Sequence, residues 1–94
     1  MKEFIWETAG DIDMLLAKRI RNIRKRRKIT QKELAARSNV SYASLRKFEQ
    51  KGEISLISLT KIIMELGLAS ELKELFTQPV YLSIEEVLRD EKIT

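Results

Sequence analysis

Thirteen lysines and arginines crowd residues 18–51 against only Glu33 and Glu49, so this stretch carries a formal +11 within a chain of net charge +4. Residues 1–17 carry −3 and residues 52–94 carry −4. A basic middle between acidic ends is a localised field, and such a field gathers a polyanion: nucleic acid or an anionic membrane surface. Within it stand Tyr42, Ala43, Ser44, Arg46 and Lys47. Small, polar and cationic side chains at the leading end of a short helix are suited to base edges in a major groove about 12 Å wide. The run RKRRK at 24–28 reads either as a solvated helix end or, just ahead of such a helix, as phosphate contacts.

Other chemistry is poorly provided for. The 94 residues include no cysteine and no histidine. Disulfides and thiolate metal sites are therefore out of reach, and the commonest general base and transition-metal ligand are missing. Fourteen carboxylates remain, but no nucleophile–base pair and no phosphate-cradling glycine loop is visible. The expectation is a protein that is not an enzyme, with no catalytic residue, metal, cofactor or small-molecule substrate. No apolar run approaches the ~20 residues that span a bilayer. Glu3, Glu7, Asp11 and Asp13 interrupt any signal-peptide pattern, which points to the cytoplasm. Residues 18–28 are basic and amphipathic enough for a membrane surface. Their apolar face is Ile and Leu that neighbouring helices need, so no membrane partner is expected.

The elements that must position these side chains read as all-helical. Ile12, Leu16, Ile20 and Ile23 are spaced by four, four and three, one face of a helix from about Asp11 to Lys28 capped by Asp11 or Asp13. TQKE at 30–33 is a capping box that opens a second helix with Leu34 and Ala35 inward. That helix ends near Ser38, and Asn39 tolerates the left-handed turn that must follow. Ser41 is an N-cap for a third helix, Tyr42 to about Gln50, with Leu45 and Phe48 inward. A turn centres on Gly52. Ser55 caps a fourth helix bearing Leu59, Ile62, Ile63 and Leu66, and Gly67 closes it. Ser70 caps a short fifth helix to Phe76, burying Leu72, Leu75 and Phe76. TQP at 77–79 breaks the pattern, and SIEE at 83–86 is a second capping box, opening a last short helix to about Glu91. Phe4, Ile5 and Trp6 are either a cap on the core or an exposed patch.

Residues 30–50, TQKELAARSNVSYASLRKFEQ, thus form a helix, a three-residue turn and a helix. They resemble the Xre-type helix-turn-helix family, the Cro and phage-repressor-like proteins. The markers are Thr30-Gln31, Leu34-Ala35, Val40-Ser41, Leu45, Phe48-Glu49 and the helix Leu56–Leu66. The likeness covers about residues 13–76 and departs at Asn39, where the family usually has glycine. It implies an all-α, five-helix phage-repressor-like domain that binds a double-stranded DNA operator and represses transcription. It also implies roles for individual residues. Gln31 matches a phosphate- and base-contacting glutamine, and Tyr42, Ala43 and Lys47 stand at base-reading positions. Ser41 and Ser44 meet phosphate or base edges. Arg24 and Glu49 match an ion pair that is either structural or turns the arginine towards phosphate. Arg46, Arg27, Thr30, Lys32 and Lys51 complete the expected DNA-binding set.

A narrower resemblance lies in LFTQPVYLSIEEVLRDEK, residues 75–92, which is similar to the ending of small HipB-like antitoxins. It implies a HipA-family kinase toxin as partner and an autoregulating antitoxin; the alternatives are a stand-alone repressor or mainly a toxin-binding module. The organisation expected is an arm at 1–10, a DNA-binding domain at 11–76 and a short helical extension at 77–94. A single recognition helix reads too few base pairs for useful specificity, so a homodimer on an inverted repeat is expected. Phe4, Ile5, Trp6, Val80, Tyr81 and Leu82 are the apolar residues available for its contact.

Overall fold

A computed structural model describes residues 7–79. Among these, five helices follow one another: α1 Ala9–Arg26, α2 Gln31–Ser38, α3 Tyr42–Lys51, α4 Leu56–Glu65 and α5 Ala69–Glu74. The described residues contain no strand. The expected all-α, five-helix, phage-repressor-like architecture is what the chain adopts. The last expected helix, from SIEE, lies outside the described residues, as do Phe4, Ile5 and Trp6.

Hydroxyl caps set four of the five helix starts. The Thr30 side chain accepts the Glu33 amide proton and the Glu33 carboxylate accepts that of Thr30, both at 3.1 Å. Accepting that backbone proton, and bonding the Thr30 side chain, holds the Glu33 carboxyl below its ordinary value. Ser41 and Ser55 cap α3 and α4 through the amides of Ser44 and Ser58. The first helix corrects the reading from sequence. It begins at Ala9, Thr8 is its cap, and Asp11 is the reciprocal partner at the third position rather than the cap. Its end falls at Arg26, short of Lys28. The fifth helix differs too: Ser70 lies inside α5, which starts at Ala69 after Leu68 with no side-chain cap. The amide of Leu68 is held by the Ile63 carbonyl, so α5 launches directly from the end of α4.

Three helices end in the same way. Lys28, Asn39 and Gly67 take left-handed φ of 57°, 57° and 74° after α1, α2 and α4. In each case the next residue donates its amide back across the final turn: Ile29 to Arg24, Val40 to Ala35 and Leu68 to Ile63. This is the Schellman arrangement, and the apolar residue after the left-handed one folds back onto the core. Val40 belongs to the core itself, with Ile29 and Leu68 packed against it. Asn39 thus does the work expected of it, and Lys28 does the same work unannounced. The strain of a left-handed lysine is offset by two capped carbonyls and a docked isoleucine.

The core is Ala17 and Ile20 from α1, Leu34 and Ala35 from α2, Val40, Leu45 and Phe48 around α3, and Ile62, Ile63 and Leu66 from α4. Phe48 is its largest fully buried side chain. The α1 stripe is rotated from the expected one. Ala17, Ile20 and Arg24 face inward, whereas Ile12 and Leu16 are 53% and 37% exposed. Beyond α5 the expectation also fails: Leu72 packs against the core, but Leu75 and Phe76 are 54% and 97% exposed. The helix stops at Glu74, and Phe76 turns outward with φ 62°.

Gly52 explains the α1 rotation. Its φ is 75°, and a Cβ there would lie 3.0 Å from the Asp13 carbonyl carbon and 3.0 Å from the Met14 nitrogen. The end of α3 meets the α1 backbone directly, so small Ala17, not Leu16, faces the crossing. Gly52→Ala should destabilise the domain by about 2–4 kcal/mol, combining the left-handed penalty with overpacking against backbone. Urea unfolding measures it, and an unchanged midpoint would refute the close approach.

Candidate nucleic-acid interface

The α2–turn–α3 unit is fastened by one carboxylate. Glu49 of α3 has a side chain only 2% exposed. Arg24 of α1 donates to it through Nε at 2.7 Å and Nη2 at 2.8 Å. Gln31, at the start of α2, donates through Nε2 at 2.9 Å. Arg21 of α1 adds its charge at 3.8 Å. The last Arg24 donor, Nη1, goes to the Ile29 carbonyl at 2.9 Å in the α1–α2 turn. Three helices thus meet on Glu49, and the α1–α2 turn is tied to the same network through Arg24.

These bonds bear on several roles that the sequence left open. The guanidinium of Arg24 is engaged through all three nitrogens and buried, so the structural reading of its pair with Glu49 is the one the geometry supports. This departs from the outward-facing phosphate contact that the family resemblance also allowed for Arg24. Gln31 spends one amide N–H on Glu49, which orients it at the head of α2 and leaves its second N–H and its carbonyl able to meet an outside partner. Arg27 is exposed but donates through Nη1 to the Leu66 carbonyl at the end of α4. A cation there suits both the uncapped carbonyl and the negative helix end. Of the basic run 24–28, then, one side chain points in, one is partly committed, and Lys25, Arg26 and Lys28 are exposed.

The exposed side of α3 carries Tyr42, Ala43, Arg46, Lys47 and Lys51, while Leu45 and Phe48 fill the core behind it. Thr30 and Lys32 are exposed at the head of α2. Lys32 Nζ and Arg46 Cζ each stand 5.5 Å from the centre of the Tyr42 ring, so one aromatic joins α2 to α3 on the surface. Such contacts contribute about 0.5–1 kcal/mol at exposed sites. Lys47 pairs with Glu53 at 3.2 Å, both side chains more than half exposed. Surface pairs of this kind contribute about 0–1 kcal/mol, so Lys47 is readily released to a phosphate or a base. Ser41 is occupied by its cap: its hydroxyl accepts the Ser44 amide proton at 3.0 Å and donates to the Ser44 hydroxyl at 2.7 Å. Sequence reasoning missed the contacts of Arg21, Glu53 and Lys32 with their partners, for which spacing along the chain gives no signal.

A buried-backed short helix after a left-handed turn, within a basic field, defines a DNA-binding domain of the helix-turn-helix class. A family model described as "Helix-turn-helix" matches residues 20–72, and the chain belongs to that family of DNA-binding regulatory domains. No curated protein and no solved structure matches the chain. No described helix is long and apolar enough to cross a membrane.

Removing one partner of a buried charge pair typically costs about 3–5 kcal/mol because the other is left unpaired. With Gln31 and Arg21 still beside Glu49, Arg24→Ala should cost about 3 kcal/mol, and Arg24→Lys should recover little of it, since a lysine cannot form the two-pronged contact. Equilibrium unfolding of the free protein reads this out. A loss confined to DNA affinity, with stability unchanged, would restore the phosphate role.

Proposed function

We propose that this protein is a sequence-specific transcriptional repressor that binds an inverted-repeat operator as a homodimer. The observation that carries the reading is α3 itself: Tyr42, Ala43, Arg46 and Lys47 lie along its exposed side, while Glu49 on the other side locks the helix to α1 and α2. Base reading falls to Tyr42, Ala43, Ser44, Arg46 and Lys47. Arg27, Thr30, Gln31, Lys32, Ser41 and Lys51 supply backbone contacts, and Arg24 acts from inside by holding α3 in place. Repression by such a domain needs only occupancy of an operator that overlaps a promoter. The DNA-binding unit runs from Thr8 to about residue 76: Thr8, Ala9 and Gly10 belong to α1 and its cap rather than to the arm first expected at 1–10.

Exposed apolar side chains support the dimer. Leu56, Ile57 and Met64 of α4 are 75%, 64% and 60% exposed, and four residues separate α4 from the end of the recognition helix. A contact there would set two recognition helices side by side, with half-sites about 10 base pairs apart or a multiple of that. The residues first expected to make this contact, Phe4, Ile5, Trp6, Val80, Tyr81 and Leu82, lie outside the described residues. The narrower antitoxin reading is supported by the resemblance of 75–92 alone, most of which also lies outside them.

Titrating a duplex that carries the promoter of the protein's own gene at several salt concentrations tests the repressor. Neutralising four to six phosphates per protomer gives a slope of log K against log salt of about −4 to −5 per protomer, with two protomers per site. Lys47→Ala should shift base preference by about 1–3 kcal/mol. A slope near zero would overturn the electrostatic reading, and a single protomer at saturation would overturn the dimer. For the antitoxin, a pull-down with the neighbouring gene product should retrieve a HipA-family kinase in the presence of excess operator. Recovery of no kinase, or its displacement by operator, would leave the stand-alone repressor.

A further inference from the structure

The first turn of α3 lacks the side chains that read bases by paired hydrogen bonds. Ser41, Tyr42, Ala43 and Ser44 include no amide and no guanidinium. The Ser41 hydroxyl is used in both directions, accepting from the Ser44 amide and donating to the Ser44 hydroxyl. What the turn offers is apolar surface: the exposed Ala43 methyl and the Tyr42 ring, 38% exposed. The ring is held by cations from two helices, Lys32 and Arg46, each 5.5 Å from its centre. These weak contacts bias the orientation of the ring in the free protein and leave its exposed part open to a ligand.

We infer that this turn selects thymine through its C5 methyl group, with Ala43 and Tyr42 as the specificity-determining residues. Of the four bases, only thymine places a methyl in the major groove, and small apolar side chains and aromatic rings are its natural contacts. The turn has apolar surface to offer it and few free hydrogen-bonding groups for the other bases. Arg46 and Lys47, one turn further on, supply donors for neighbouring purine acceptors. The inference rests on the DNA-reading role of α3 proposed above and names the chemical group that this role recognises.

The probe is a duplex enriched from a random-sequence pool by the full chain. It is then remade with deoxyuridine in place of thymidine, one position at a time. The exchange keeps base pairing and the O4 acceptor and removes only the methyl. At one or two thymines per half-site the wild type should bind about three- to fivefold more weakly after the exchange, as burial of a single methyl implies. Tyr42→Ser and Ala43→Gly should each bring one of those ratios close to one, whatever they do to overall affinity. Because the readout is a ratio on one protein preparation, a variant of lowered stability still reports it. Wild-type ratios near one at every position would overturn methyl reading while leaving DNA binding intact. A pool from which no duplex is enriched would overturn the DNA reading and this inference with it.

Discussion

Glu49 sits at 2% side-chain exposure with both of its oxygens bonded to one guanidinium, and α1, α2 and α3 converge on it. Burying a charge pair is expensive in desolvation, and a well-packed apolar trio of the same volume can match or exceed its stability. What the pair adds is geometry. Apolar contacts between helices tolerate sliding and rotation at modest cost, whereas a bidentate bond fixes distance and direction together. With ten buried apolar residues in the core among the described residues, there is little packing to enforce the angle between α2 and α3. The carboxylate on α3 enforces it instead, through Arg24 on one side and Gln31 on the other. Among the described residues, no buried side-chain nitrogen or oxygen lacks a partner, so the network does its work without leaving a polar atom stranded.

The same economy appears at the helix ends. A helix of eight residues, such as α2, has more unsatisfied terminal groups than internal bonds, so its existence depends on its caps. Thr30 and Glu33 satisfy one end, and Asn39 with Val40 satisfies the other. Each Schellman turn returns an apolar residue to the core, which ties the direction of the outgoing chain to the packing of the helix it leaves. The turn between α2 and α3 is short because Val40 is anchored and Ser41 at once caps the next helix. The recognition helix is therefore aimed by local chemistry at its start and by Glu49 near its end.

These two kinds of constraint differ in how visible they are in sequence. Caps are local: TQKE, Ser41, Ser55 and Asn39 announce themselves by residue type and a spacing of three or four. Leu45 and Phe48 were legible because, apart from Tyr42 at its first position, they are the large apolar residues of α3. The face of α1 was not, because Ile12 and Leu16 continue the period of Ile20 as well as Ala17 and Arg24 do. Hydropathy favours the branched aliphatics over an alanine and an arginine; only the backbone approach of Gly52, 38 residues beyond Met14, decides between them. The partners of Arg24, Gln31 and Tyr42 belong to the same tertiary class. Resemblance could point to the Arg24–Glu49 pair, but which way its arginine faces depends on Ile29 and Gln31, which only the fold brings together.

A division of labour follows between groups that hold and groups that read. The holding contacts are buried, short and multiply bonded, and breaking one leaves a charge without water. The contacts made by the outward-facing residues are of another kind: a surface ion pair between Lys47 and Glu53, and two cations over an exposed ring at 5.5 Å. Each contributes about 1 kcal/mol or less, so a base or phosphate can replace it at little cost. Weak internal partners keep long cationic side chains from wandering in the free protein without competing seriously with a ligand. They also make the reading surface easy to change. A substitution at Tyr42, Ala43 or Lys47 touches only weak exposed contacts, whereas one at Glu49 disturbs α1, α2 and α3 together. On the proposed reading, the scaffold can stay fixed while the sequence it recognises drifts, because the buried bonds that hold α3 are made by Arg24, Gln31 and Glu49 rather than by the outward side chains of α3.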